Sequence, residues 1–196
     1  MAKLTIAALA VSAVASPAMA QSFTGPHVEA QVGWDHADVP DQTGSTTDRH
    51  ASDQRLIYGI GAGYDVGLGG GLIAGVDGSF DWSNRSGCAM GVAVAGDRLC
   101  SKLVRDVDIG ARLGVKAGSN LVYARVGYDN SLVRSTYSLP ANVSTEASRH
   151  DGGLRLGAGV EHALGRRAYL KAEYRYTTDS ALDDHHQLLG GIGLRF

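Results

Sequence analysis

The sequence predicts an all-β chain folded as an eight-stranded antiparallel up-and-down transmembrane β-barrel. Three observations predict it. Apolar and polar residues alternate with a period of two in eight separate segments. The connections between those segments are alternately short and long. The run Leu188-Leu189-Gly190-Gly191-Ile192-Gly193-Leu194-Arg195-Phe196 reaches the last residue in mid-strand, with Leu188, Gly190, Ile192, Leu194 and Phe196 on one face. Chain ends usually fray into water. A strand that ends on a bare aromatic fits a barrel whose last strand pairs with its first and whose terminal ring sits at a membrane interface.

Each segment is close to the ~9–11 residues a tilted strand needs to cross a bilayer. The first, 25–35, sets Val28, Ala30, Val32 and Trp34 against Glu29, Gln31, Gly33 and Asp35. The second, 56–66, sets Tyr58, Ile60, Ala62 and Tyr64 against Gly59, Gly61, Gly63 and Asp65. In the third, 71–82, Leu72, Ala74, Val76, Phe80 and Trp82 oppose Gly75, Asp77, Ser79 and Asp81. In the fourth, 104–115, Val107, Ile109, Ala111, Leu113 and Val115 oppose Asp106, Asp108, Gly110, Arg112 and Gly114. The fifth, 120–129, sets Val122, Ala124, Val126 and Tyr128 against Tyr123, Arg125, Gly127 and Asp129. The sixth, 152–162, sets Leu154, Leu156, Ala158 and Val160 against Arg155, Gly157, Gly159 and Glu161. In the seventh, 168–177, Ala168, Leu170, Ala172, Tyr174 and Tyr176 oppose Lys171, Glu173, Arg175 and Thr177. The terminal run is the eighth, with Gln187, Gly191, Gly193 and Arg195 on its polar face.

Short connections carry turn glycines, at 67–70, 116–119 and 163–167. The stretches 36–55, 83–103, 130–151 and the shorter 178–186 are polar and read as external loops. Short periplasmic turns with longer external loops are the bacterial pattern, and an even strand number returns both ends to the periplasm. Strand direction then sorts the aromatics into two girdles. Trp34, Tyr58, Trp82, Tyr128, Tyr174 and Tyr176 fall at the external rim; Tyr64 and Phe196 fall at the periplasmic rim.

The N-terminus predicts export independently. Lys3 precedes an apolar stretch of 12 residues, Leu4–Ala15, and Ala18-Met19-Ala20 fits a small-x-small cleavage site. Residues 1–20 thus read as a signal peptide and 21–196 as the barrel domain, opening on Gln21. Without Lys3, 17 basic residues face 20 acidic ones, so no basic surplus calls for a nucleic acid. Mean hydropathy is −0.07, as expected when lipid-facing and inward residues cancel. Cys88 and Cys100, an even pair in an exported chain, read as a disulfide, with free thiols or a metal site as the alternatives.

The inward face of the predicted barrel is charged. It carries the acids Glu29, Asp35, Asp65, Asp77, Asp81, Asp106, Asp108, Asp129, Glu161 and Glu173 and the bases Arg112, Arg125, Arg155, Lys171, Arg175 and Arg195. An eight-stranded barrel is just wide enough for its own side chains to fill it. Unpaired buried charge is costly, so these groups are expected to pair across a mostly closed lumen. The acidic surplus keeps the alternative open, a narrow cation-preferring pore.

On these features the chain resembles the small outer-membrane β-barrel proteins built like the eight-stranded OmpA membrane domain, including opacity-type surface antigens of the porin family. The resemblance covers about 22–196 and rests on Ala18-Met19-Ala20, on the recurrent Gly-x-Gly of Gly59-Ile60-Gly61, Gly157-Ala158-Gly159 and Gly191-Ile192-Gly193, and on the ending Gly193-Leu194-Arg195-Phe196. It implies a place in the outer membrane among its lipids, and structural, adhesive or immunogenic roles. It also implies recognition of the C-terminal strand, through Ile192, Leu194 and Phe196, by the barrel-assembly machinery.

Candidate chemistry is sparse. His50-Ala51-Ser52 has the His-x-Ser spacing of lipid A deacylases but sits in the first long loop, and spacing alone supplies no base oriented by a third group. Asp183-Asp184-His185-His186, with His36, His50 and His150, gathers titratable groups at the external rim, where imidazoles suit zinc or copper; a solvated loop is the plainer expectation. No cofactor and no catalytic residue are expected. The stretch Ala89–Ala95 between the cysteines is apolar and low in charge, so the loop from Ser83 to Lys102 is a candidate surface for an external partner. The reading is therefore a surface-interaction protein with a plugged lumen, with a small-conductance pore as its alternative.

Overall fold

Nine antiparallel strands arise from these alternations in the computed structural model, which describes residues 23–37, 55–83, 86–90, 94, 96–139, 144–179 and 184–196. They are β1 (Gly25–Ala37), β2 (Arg55–Gly69), β3 (Leu72–Ser83), β4 (Ser86–Met90), β5 (Arg98–Ala117), β6 (Asn120–Ser138), β7 (Ser144–Ala163), β8 (Ala168–Asp179) and β9 (Asp184–Arg195). Hydrogen bonding runs β3-β2-β1-β9-β8-β7-β6-β5-β4, and a further β3–β5 pairing closes the barrel. Eight strands make the wall, as the alternation predicts; β4 lies outside it and pairs with the outer part of β5. Closure joins the first strand to the last, from His27 opposite Arg195 to Ala37 opposite His185. A closed sheet leaves no unpaired edge within the bilayer, which is the condition for a β-structure to span it.

Period-two alternation sorts the side chains. Ile109 on the outer wall is 69% exposed, whereas Arg175 on the lumen side is 2% exposed. This inversion of the usual apolar-in rule holds where lipid is the solvent. At the periplasmic end Phe23, Ile73, Leu121, Tyr123 and Ala163 form an apolar cluster inside the barrel. At the other end Ile57 and Leu189 are buried against one register row through Gly33. Phe23, Ile57 and Leu189 were not expected inside, because a single apolar residue on a polar face carries no periodic signal.

Two expectations are corrected. The stretches 83–103 and 130–151 were read as polar loops, yet β4 and the outer parts of β5, β6 and β7 occupy most of them. Register runs unbroken through β6–β7 from Asn120 opposite His162 to Ser138 opposite Ser144. The reason is physical: above the membrane neither face meets lipid, so the strands continue with polar residues on both faces and the apolar alternation disappears. A four-stranded sheet, β4–β5–β6–β7, therefore projects beyond the external rim. Residues 1–20, residues 38–54 with His50 and Ser52, and Asp183 lie outside the described residues.

Candidate functional site

The lumen is organised in tiers. Nearest the periplasm, Asp65 and Glu161 are both shared by Arg112 and Arg195. Arg112 Nε donates to Asp65 Oδ1 at 2.8 Å and its Nη1 to Glu161 Oε1 at 2.7 Å. Arg195 Nη1 donates to Asp65 at 2.5 Å and its Nη2 to Glu161. The two guanidiniums also stack on rings: Arg112 lies 5.1 Å from the Tyr123 ring and Arg195 4.9 Å from the Tyr169 ring.

In the middle tier Lys171 pairs with Glu29 and donates to Gln31 at 3.0 Å, while Tyr169 donates to Glu29 at 2.9 Å. Glu173 accepts from Tyr123 and from Arg175. Arg125 joins Asp77 at 2.7 Å and Asp108 at 2.6 Å. Toward the outside, Arg175 reaches Asp81 at 3.2 Å, and Arg155 contacts Asp106 and Asp129 at 2.8 Å and Asp108 at 3.4 Å. Every inward base has at least one carboxylate. The acidic surplus is absorbed by sharing, since Arg155 alone serves three aspartates.

Glycines hold this network open. In one register row Asp65 pairs with Gly75 and Gly75 with Arg112, so carboxylate and guanidinium meet over a residue without a side chain. The same arrangement recurs with Lys171, Gly191 and Gln31, with Tyr169, Gly193 and Glu29, and with Tyr123, Gly159 and Glu173. At Gly193 an added Cβ would lie 2.2 Å from Tyr169 Cζ, so only glycine fits beneath that ring. The Gly-x-Gly motif thus marks where bonds cross the sheet over a strand. His27, Tyr169 and Gln31 complete the network and were not singled out as functional in the sequence. Their parity with Glu29 and Lys171 was the available signal.

On the lipid side Trp34, Tyr58, Tyr64, Trp82, Tyr128, Tyr174 and Phe196 are all exposed on the outer wall. Tyr58 and Trp82 are register partners whose rings stack at 6.1 Å, and His186 accepts or donates a hydrogen bond with Tyr174 at 2.6 Å. Ile192, Leu194 and Phe196 lie on this wall in β9 and at its end.

The projecting sheet is braced at its tip. Cys88 and Cys100 are register partners joined by a disulfide. Asp97 accepts from the Val94 amide at 3.0 Å and from the Tyr137 hydroxyl at 2.5 Å, tying the β4–β5 turn to β6. The apolar stretch 89–95 falls mostly outside the described residues; Val94 is exposed.

Residues 6–196 match the family described as the outer membrane protein beta-barrel domain. The chain belongs to this family. It is 31% identical over 130 residues to the 31 kDa outer-membrane immunogenic proteins of Brucella melitensis and Brucella suis, covering 62% of this chain and 53% of each relative. The chain thus spans about half the length of the curated relatives it matches. Its fold is similar to the crystal structure of Ail from Yersinia pestis in complex with the heparin analogue sucrose octasulfate. The TM-score is 0.52 at 17% identity, over 88% of this chain and 99% of that one. Neisserial surface protein A gives a TM-score of 0.52 at 19% identity, over 88% and 98%. As an outer-membrane β-barrel, the protein belongs in the bacterial outer membrane, with its lipid-facing wall in the bilayer.

Proposed function

We propose that this outer-membrane barrel is a surface-display protein, in which a plugged lumen serves as anchor and the projecting β4–β7 sheet meets an external partner. The observation that carries the reading is the complete pairing of the six lumen bases, with an apolar cluster at the periplasmic end. With guanidiniums bridged across the lumen, the described residues favour a plug over a path for conduction and leave the projecting sheet as the exposed feature available for function. A sheet already ordered by a disulfide and by the Asp97–Tyr137 bond lowers the ordering cost of binding. The immunogenic Brucella relatives support exposure at the cell surface. On the same reading, β9, with Ile192, Leu194 and Phe196 on its lipid face, is the strand presented to the barrel-assembly machinery.

Planar-bilayer recording of the folded protein tests the plugged lumen. Silence is expected, and Arg125→Ala, which frees Asp77 and leaves Asp108 with Arg155 as its guanidinium, should bring small cation-preferring steps. Discrete steps from the unaltered protein would make it a pore and overturn the reading.

A further inference from the structure

The disulfide of the projecting sheet lies at its edge. Among the described residues β4 has β5 as its one neighbour, so its backbone is held from a single side, over the pairs from Ser86–Lys102 to Met90–Arg98. Cys88 is exposed and Cys100 half-buried. Exposed disulfides are the labile ones, open to exchange with thiols.

The charge around this bond is one-sided. Arg98 and Cys100 are two residues apart on β5 and share a face, which sets Arg98 diagonally across from Cys88. Its Nη2 donates to Cys88 Sγ at 3.4 Å. Among the described residues no carboxylate pairs with this guanidinium. The adjacent Asp97 is buried and accepts from the Val94 amide and the Tyr137 hydroxyl. On the other side of Cys100 the register neighbour is Thr136, and the acid in that row, Glu146, stands a further strand away on β7.

We infer that Cys88–Cys100 is an exchange site for small soluble thiols, with Arg98 directing which sulfur is attacked. The incoming thiolate bonds to Cys100 Sγ, the Cys88–Cys100 bond breaks, and its electron pair leaves on Cys88 Sγ. The products are a mixed disulfide on Cys100 and a Cys88 thiolate beside the guanidinium. A second thiolate then attacks the small thiol's sulfur, leaving Cys100 as a thiolate and releasing the small thiol as its own disulfide. Two factors compete over the first step. Exposure alone favours attack on Cys88. The departing sulfur, however, takes up a full negative charge, and Arg98 offsets that charge at Cys88. The same cation draws the incoming anion toward the bond. The inference goes beyond surface display and does not rest on it: opening the bond loosens β4 from β5 and needs no partner on the sheet. Its failure leaves the display reading standing.

The test treats the refolded protein in detergent micelles with reduced glutathione at neutral pH, quenches samples in acid and reads peptide masses. Early samples should carry glutathione on Cys100 and a free thiol on Cys88. Arg98→Gln should slow the loss of the disulfide by roughly three- to tenfold, and Arg98→Lys should keep part of the rate. Arg149→Gln, which removes a base paired with Asp151 on the opposite face, should match wild type. Added salt should narrow the gap between wild type and Arg98→Gln. Heat-modifiable gel mobility confirms that each variant is folded. Glutathione found first on Cys88 would overturn the proposal. So would equal rates for wild type and Arg98→Gln, or a bond that resists glutathione until the barrel is unfolded.

Discussion

Asp65 and Arg112 stand on strands that do not touch, yet Arg112 Nε donates to Asp65 Oδ1 at 2.8 Å across Gly75 of the strand between them. A Cβ at Gly75 would lie 2.0 Å from Asp65 Oδ1. The ion pair therefore exists because the intervening residue has no side chain. The same logic links Tyr169 to Glu29 over Gly193.

Alanine at such a glycine should be felt in stability. Gly75→Ala and Gly193→Ala must push a carboxylate or a buried ring aside, and overpacking of this kind costs about 1–3 kcal/mol. Gly190→Ala is the control, since its Cβ would meet nothing closer than the Val32 carbonyl at 3.9 Å. Urea unfolding of the detergent-refolded protein reads the difference. Equal midpoints for Gly193→Ala and Gly190→Ala would mean that the rings move freely.

Much of this was legible in the chain. Eight strands, their facing and the wall aromatics follow from parity alone, because lipid and lumen make opposite demands on adjacent residues. Pairing partners did not follow. The alternation puts Asp65 and Arg112 inside, but only the stagger of β2, β3 and β5 brings them into one row. The projecting sheet was missed for a different reason. Above the bilayer Ser135, Thr136, Ser144 and Glu146 give no apolar alternation, although their backbone pairing is as regular as in the wall.

Arg112 bridges both acids of the periplasmic tier, so its removal is informative. Arg112→Met leaves Asp65 and Glu161 with Arg195 as their remaining guanidinium. Breaking one side of a buried pair costs about 3–5 kcal/mol because the partner charge stays behind. Adding Asp65→Asn should therefore recover part of the loss rather than deepen it. A double-mutant cycle by denaturant unfolding measures this. Additive losses would indicate that water already solvates the tier.

The disulfide should govern the sheet and not the barrel. β4 pairs with β5 outside the wall, so Cys88→Ser/Cys100→Ser leaves the closed eight-stranded sheet untouched. The expected outcome is an unchanged barrel unfolding midpoint and faster proteolysis between Ser86 and Lys102. A lowered midpoint for the whole barrel would show that the projection braces the wall.

The turn that closes β4 onto β5 carries its own pH dependence. Tyr137 donates to Asp97 Oδ2 at 2.5 Å, and that bond holds the phenol above its ordinary value of 10.0, because ionisation would set an oxyanion against a carboxylate. A phenol raised in the folded state contributes order that is fully present below its unfolded value and is lost as pH rises through the folded one. Protection of the Val94 amide, which also donates to Asp97 Oδ2, should therefore be constant through neutral pH and fall only in alkali beyond the ordinary phenol range. Tyr137→Phe should lower that protection at neutral pH and abolish the alkaline step, while the barrel amides stay protected. Hydrogen exchange followed by mass spectrometry resolves the segment. A step that survives in Tyr137→Phe would assign the titration to another group and leave Asp97 as a turn cap alone.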